Sequence, residues 1–182
     1  IFAMSAAPIQ ASYIGFLGTM GTGYYDYLVA DEVIIPEKNQ QYYSEKIIYL
    51  PSFQANDSTQ DLPKKVFTRK ELGLPDKGFV FCCFNQIYKI SPKEFNIWMR
   101  LLRNVNNSVL WLIKSNKWVE QNFSKEAKRQ GIDPLRIIFA EKLSHSEHLA
   151  RHKHADLFID TFNYNAHTTA SDALWAGLPI VT

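Results

Sequence analysis

"GFVFCCFN" (78–85) followed by "SPKEFNIWMRLLRNV" (91–105) decides the fold. The first stretch is a short, unbroken run of apolar, β-branched and aromatic side chains, which is how a strand buried on both faces reads. The second opens with Ser91 at a cap position and Pro92 at the first helical position, then sets Phe95, Trp98, Leu101 and Leu102 on one stripe. Strand then helix recurs down the chain. "SVLWLIKS" (108–115), "RIIFA" (136–140), "DLFID" (156–160) and "LPIVT" (178–182) read as strands. "KWVEQNFSKEAKRQG" (117–131), "SHSEHLARHKHA" (144–155) and "HTTASDALWAG" (167–177) read as helices, with Gly131 and Gly177 as stops. This alternation predicts an α/β fold: parallel strands joined by right-handed crossovers into a doubly wound, Rossmann-like sheet.

The first 77 residues have a different texture. "APIQASYIGF" (7–16) and "YDYLVAD" (25–31) read as strands, with the glycine-rich "LGTMGTGYY" (17–25) as a loop between them. From Ser52 to Lys77 the chain is polar, and its "TRKELG" (68–73) reads as a short helix. Residues 1–60 therefore suggest the tail of one α/β domain, 61–77 a connection, and 78–182 the first part of a second domain.

Composition narrows the function. A chain of 182 residues with 46% hydrophobic content can bury a sizeable core. Its net charge of +2, from 20 basic and 18 acidic side chains, gives no footprint for nucleic acid and no polybasic membrane face. The longest apolar runs, such as "VLWLI" (109–113), are too short to cross a bilayer. Cys82 and Cys83 are adjacent on a strand, point to opposite faces and cannot form an ordinary bridge, which suits a reducing, cytoplasmic setting.

Ligands of an open α/β sheet bind where strand carboxyl ends meet helix amino ends. The loops there carry Asn85, Gln86 and Lys89; "KSNK" (114–117); "EKLSHSEH" (141–148); and "TFNYNAHTT" (161–169). They gather amide, imidazole, hydroxyl and ammonium groups, and no acidic cluster of the kind magnesium or calcium needs. His167, Thr168 and Thr169 at a helix start suit an anion such as phosphate. Equally, Thr168 or Thr169 can cap the helix, with Asp172 completing a capping box. Lys89 is either a point charge for phosphate or a solvated cation. His145, His148 and His152 share a helix face at spacings of three and four, but no Glu and no second ligand cluster accompany them. They read as surface imidazoles or as a ring for stacking on a base, and no metal site is expected. The turn "CCFNQIYK" (82–89) lacks the glycines of a dinucleotide fingerprint, and Gly15, Gly18, Gly21 and Gly23 lie in the other domain.

With these residues in hand, the sequence resembles the catalytic region of the O-linked N-acetylglucosamine transferase family. The likeness rests on "APIQASYIGFLGTMG", "DYLVAD", "QYYSEKIIYLP", "FNQIYKISP", "NSVLWL", "RIIFA", "EHLAR" and "DTFNYNAHTTASDALWAGLPIVT", in family order. The resemblance implies a GT-B fold and an inverting, metal-independent transfer of sugar from a uridine diphosphate donor to Ser or Thr of proteins, with no cofactor. It implies Gln86 and Lys89 at the donor diphosphate, with Lys89 catalytic in stabilising the departing nucleotide, and His167, Thr168 and Thr169 as the phosphate cradle. Leu143, Ser144, His145, His148 and Arg151 correspond to the segment around uridine, with His148 stacked on uracil and Asp172 accepting from the ribose. Thr19 matches the acceptor-side cleft. His145 stands where animal enzymes carry Lys, and Leu17 where Pro is usual. His167, Asp172 and Trp175 favour N-acetylglucosamine over the fucose of related plant enzymes. Another sugar or acceptor (fucose, asparagine, a small glycan) and a non-catalytic nucleotide-binding piece are the alternatives. The family's proposed catalytic His and its tetratricopeptide repeats correspond to sequence upstream of Ile1, so this piece alone is expected to be inactive.

Overall fold

Among the described residues every strand pairing is parallel, as buried apolar runs separated by crossovers require. The computed structural model describes residues 1–54, 59 and 66–182. The chain divides into two units, Ile1–Asp57 and Ser58–Thr182. Of the connection expected over 61–77, residues 61–65 lie outside the described residues.

The first unit holds a three-stranded sheet, β1 (Ala11–Ser12), β2 (Tyr27–Ala30) and β3 (Lys46–Tyr49), in that order. Leu28, Ala30 and Ile35 form its buried centre. The strand expected over 7–16 shrinks to two residues. Upstream, the Gln10 amide donates to Phe2 O and Tyr24 O at 3.0 and 2.6 Å, and its backbone N–H donates to Asp26, so loop contacts replace ladder bonds. Downstream, the chain reverses at Ile14, where φ is +55° and Gly15 N–H donates to Tyr13 O.

The second unit carries β4 (Phe79–Cys83), α1 (Pro92–Asn104), β5 (Ser108–Ile113), α2 (Lys117–Arg129), β6 (Ile137–Ala140), α3 (His145–Arg151), β7 (Leu157–Ile159), α4 (Thr168–Trp175) and β8 (Ile180–Val181). Strand order is β6-β5-β4-β7-β8. Right-handed crossovers with that order put α1 and α2 on one face and α3 and α4 on the other, so the direction of winding reverses between β4 and β7. On β4, residues Val80 to Cys83 are all buried, as is Phe84 just past its end, and Trp98, Met99 and Leu102 of α1 close over one face.

Local chemistry fixes the helix ends. Ser91 accepts from Lys93 N–H while Glu94 accepts from Ser91 N–H, a reciprocal capping box at α1. Asn116 caps α2 by accepting from Trp118 and Val119 N–H, both at 3.1 Å. Gly131 and Gly177 end α2 and α4 at φ of +76° and +82°. The helix expected at 68–73 is instead a set of hydrogen-bonded turns. Glu71 accepts from both Thr68 N–H and its hydroxyl, and Gly73 at φ +71° closes the chain after one turn, so no second turn propagates. The third helix is likewise shorter than its sequence pattern. Its α portion stops at Arg151, and His152–His154 tightens into a 3₁₀ turn.

Gly78 precedes β4 at φ +120°, and a Cβ there would lie 2.0 Å from Asn107 O. At Gly73 a Cβ meets nothing within 4 Å. Gly73→Ala should therefore lose only the left-handed backbone penalty, about 1–2 kcal/mol, whereas Gly78→Ala must also push back a β-turn carbonyl and should lose clearly more. Urea unfolding of the two variants, compared at equal m-value, checks the order.

Candidate functional site

The reversal of winding brings the carboxyl ends of β4 and β7 together, and the side chains just past them make one network. Asn85 is fully buried. Its amide nitrogen donates to Asp160 Oδ1 at 2.8 Å and Thr161 Oγ1 at 2.9 Å, and its oxygen accepts from the Thr169 hydroxyl at 2.5 Å. One amide thus ties the tip of β4 to the tip of β7 and to the first turn of α4. Asp160 also accepts from Thr161 N–H, Ala166 N–H, the Asn165 amide and the Thr182 hydroxyl. Burial opposes ionisation of Asp160, but the Thr182 hydroxyl, the two N–H groups and the Asn85 amide outweigh it and hold its carboxyl below the usual value.

Lys89 ends a single 3₁₀ turn, Ile87–Lys89, that exposed Gln86 opens. Its ammonium donates to Asn165 O at 3.2 Å and lies 4.0 Å from the centre of the Tyr164 ring. Partial burial lowers its pKa, opposed by the charge of Asp160. The other side of this column is His167, whose ring stacks on Tyr164 at 5.9 Å and 28°. His167 occupies the N-cap position of α4, and its side chain makes no cap hydrogen bond. Neither threonine serves as cap. Thr168 is exposed, and Thr169 spends its hydroxyl proton on Asn85. The capping-box alternative is thereby overturned: Asp172 lies beyond the third helical position and is buried inside α4. No hydrogen-bond donor meets the Asp172 carboxylate among the described residues, and burial raises its pKa, opposed by the charge of His145.

The second group surrounds α3. Ser144 caps it, accepting from Glu147 N–H and donating to the Glu147 carboxylate. His145 is exposed at its first position and Leu143 half-buried just before it. His148 is half-buried, its ring 5.0 Å from that of Phe84. Arg151 is 1% exposed, donates to Glu141 O at 2.5 Å and to His148 Nδ1, and lies 4.5 Å from the Phe84 ring centre. Burial lowers its pKa to about 10. His148 is pushed down to about 3 by burial and by the Arg151 charge, so its imidazole is neutral. Trp111 Nε1 and Arg151 Nε lack partners among the described residues, and both residues line a cavity of about 370 Å³ with Lys70, Glu141 and Leu143. A separate groove of about 400 Å³ between α1 and α2 is lined by Phe95, Phe123 and Arg129 and by none of the site residues expected from the sequence.

Gln86, Lys89, His167, Thr168 and Thr169 thus gather at the strand tips, and Leu143, Ser144, His145, His148 and Arg151 gather at α3, with Asp172 opposite His145. Thr19 belongs to the other unit, where its hydroxyl donates to buried Glu45 at 2.7 Å and accepts from Gly21 and Ser44 N–H. No three His, Cys, Asp or Glu side chains gather as metal ligands among the described residues; His145 is exposed, but His148 is half-buried and His152 buried with their rings 4.7 Å apart, so the reading of all three as surface imidazoles holds for His145 alone. Sequence reasoning missed Tyr164 and Glu94, and it left buried His152 among the surface imidazoles. Glu94 was readable from the Ser91-x-x-Glu94 spacing. It accepts from Phe162 N–H at 3.1 Å and so steadies the loop after β7. Cys82 and Cys83 are free and buried, and no described helix is long and apolar enough to cross a membrane.

Comparison with known proteins gives the chain's relatives. The chain is 45% identical over its whole length to a probable UDP-N-acetylglucosamine–peptide N-acetylglucosaminyltransferase, SEC, of Arabidopsis thaliana. Over 68% of the chain it is 40% identical to the UDP-N-acetylglucosamine–peptide N-acetylglucosaminyltransferase of Caenorhabditis elegans. It spans 19% and 11% of those proteins' lengths. A mutant of the Thermobaculum terrenum O-GlcNAc transferase superposes on the entire chain with a TM-score of 0.81 at 25% identity, the chain covering 34% of that structure. The α/β fold is thus that of a GT-B enzyme. A GtfA/B complex shares the fold alone, with a TM-score of 0.51 at 14% identity over 86% of the chain and 30% of its own. The model of glycosyl transferase family 41 matches residues 1–64 and 54–182, and the chain belongs to that family.

Proposed function

We propose that this chain is part of the catalytic region, with residues 78–182 as its donor-binding portion, of a cytoplasmic, inverting, metal-independent glycosyltransferase that moves N-acetylglucosamine from a uridine diphosphate donor to Ser or Thr of proteins. The observation that carries the reading is the network centred on Asn85, which sets Lys89 and the amino end of α4 beside one another. Free helix N–H groups, that of Thr169 among them, the exposed Thr168 hydroxyl as a donor and one ammonium suit a diphosphate, while the Thr169 hydroxyl is spent on Asn85. Gln86 adds an amide from the facing turn. At the α3 end, neutral His148 offers a flat ring for uracil, the Leu143–His145 segment and Arg151 frame it, and Asp172 is an unpartnered acceptor for a ribose hydroxyl. Family membership and the names borne by the relatives support the same donor and a peptide acceptor.

In the proposed reaction an acceptor hydroxyl attacks the anomeric carbon from the face opposite the nucleotide. The bond from that carbon to the β-phosphate oxygen breaks, and its electron pair leaves on uridine diphosphate. Charge grows on the phosphate as the bond lengthens, so Lys89 and the α4 N–H groups bind the transition state more tightly than the ground state. The hydroxyl proton goes to a base outside this chain. Residues 1–60 form part of the acceptor-side domain in this reading, with Thr19 in its cleft, 61–77 connect the domains, and 78–182 hold the donor. Ile1–Thr182 alone is therefore inactive; turnover by the isolated polypeptide would contradict that.

Calorimetric titration of uridine diphosphate against the full-length protein tests the site. Lys89→Ala should weaken uridine diphosphate about 10- to 100-fold, the worth of a charge-assisted contact, and leave uridine binding unchanged. His148→Ala should weaken both. If neither substitution moves the affinity, the assignment fails.

Asp172 gives a test with opposite signs. A carboxyl whose folded pKa is raised favours the fold while protonated, so its stabilising contribution is present below the unfolded value of 3.8 and is lost as pH rises through the folded value. At neutral pH the buried charge is a net cost to the free protein. Asp172→Asn should raise the unfolding midpoint of the free protein while weakening uridine diphosphate about ten-fold. A loss of both stability and affinity would make Asp172 a structural residue.

A further inference from the structure

His152 is 1% exposed, so it is neither a surface imidazole nor a ring open to a base, and the proposed donor contacts give it no role. Its Nδ1 lies 2.7 Å from His148 O. A carbonyl only accepts, so Nδ1 carries the proton. Nε2 meets no partner among the described residues. The His152 ring stands edge-on to the His148 ring at 4.7 Å and 84°, and edge-on to Phe84 at 5.2 Å and 85°. With Phe84 against His148 at 5.0 Å, the three rings form a closed triangle. The remaining freedom of the His148 ring is removed by Arg151, whose Nη2 can only donate and therefore makes His148 Nδ1 an acceptor. His148 is held as the Nε2–H tautomer, its plane set by two neighbouring rings and its backbone carbonyl bonded by one of them.

We infer that His152 is a positioning residue for donor recognition: acting through His148, it fixes the ring plane on which the nucleobase stacks. This rests on the proposed role of His148. A freely turning imidazole must lose rotamer freedom when a base stacks on it, and a ring already locked does not. The contribution falls on the base end of the donor alone. It should appear in KM for the sugar nucleotide and leave kcat unchanged, because ground and transition states share the same stacked base.

The test is a double-mutant cycle in the full-length protein, read by calorimetry with uridine diphosphate and, separately, inorganic pyrophosphate. His152→Ala should weaken uridine diphosphate about three- to ten-fold and leave pyrophosphate unchanged, with KM raised and kcat held. In a His148→Ala background the same substitution should change the affinity less than two-fold, since the ring it orients is gone. His152→Asn, whose amide nitrogen can replace Nδ1 as donor to His148 O, should recover much of the loss. Equal losses with and without His148 overturn the inference. A His148→Ala single variant that binds uridine diphosphate normally overturns instead the reading on which it rests. If His152→Ala also loses pyrophosphate, the fold has suffered and His152→Asn decides: near-normal uridine diphosphate affinity there, with His152→Phe still weak, supports positioning through the hydrogen bond. Loss of both ligands in all three variants overturns it.

Discussion

The second unit turns on a single buried amide. Asn85 has two N–H bonds to give and an oxygen to fill, and it gives to Asp160 and Thr161 and receives from Thr169. The partners come from two other places, the tip of β7 (Asp160 and Thr161) and the first turn of α4 (Thr169), 75 to 84 residues along the chain. Leaving any one of these groups buried without its partner would cost about 1–3 kcal/mol. The amide is therefore a gauge: it is satisfied only if β4 and β7 are neighbours and α4 starts directly beside them. That adjacency follows from the strand order β6-β5-β4-β7-β8, in which the chain winds outward from β4 and then returns to its other side.

From that gauge the charges around it fall into place. Asp160 is ionised beneath the loop after β7 because hydrogen bonds overcome its burial. Its negative charge in turn supports the ammonium of Lys89, which burial alone would disfavour. Lys89 rests on Asn165 O and the Tyr164 ring, weak partners compared with a carboxylate. A cation held by a carbonyl and an aromatic face keeps most of its charge available to an incoming anion, where an ion pair would have spent it. The α4 end follows the same logic. Its N-cap residue leaves the first-turn N–H groups without a side-chain acceptor.

Much of this was legible in the sequence, and the remainder was hidden for definable reasons. The strand–helix alternation from residue 78 could be read because buried parallel strands and amphipathic helices have different periods, and because Ser91, Pro92, Gly131 and Gly177 mark ends by local chemistry. Lys89 and the 167–169 triplet could be placed at the strand tips by the rule for open sheets. What could not be read is the network itself. Nothing local in "FCCFNQ" distinguishes an amide that caps a turn from one that reaches across 75 residues to Asp160. The misread segments share one cause. "TRKELG" has helical composition, but a Glu71 carboxylate folded back on Thr68 and a left-handed Gly73 end it after one turn. "APIQASYIGF" has strand composition, but Gln10 and Asp26 satisfy backbone groups that a longer ladder would have used. In both, side chains competed with the backbone for hydrogen bonds, a contest that propensity does not record.

The two halves of the candidate site are built on opposite physical principles. At the strand tips, polarity is kept open: Thr168 is exposed, and the Lys89 ammonium is only lightly engaged. Around α3, polarity is closed off. His148 and His152 are driven to about 3 and about 4 by burial, and the buried charge nearest to them, Arg151, repels any further proton. Arg151 has no carboxylate partner among the described residues and is instead spread over the Phe84 ring and bonded to Glu141 O. A guanidinium tolerates such a place because its charge is delocalised and weakly hydrated, where a lysine there would tend to lose its proton. The arrangement keeps the imidazole beside it neutral at any physiological pH, and a neutral ring stacks on an uncharged base without desolvating a cation. A ligand with a charged end and a flat neutral end is what such a divided surface fits. The division is set by which strand tips the fold makes adjacent, and the individual side chains act within it.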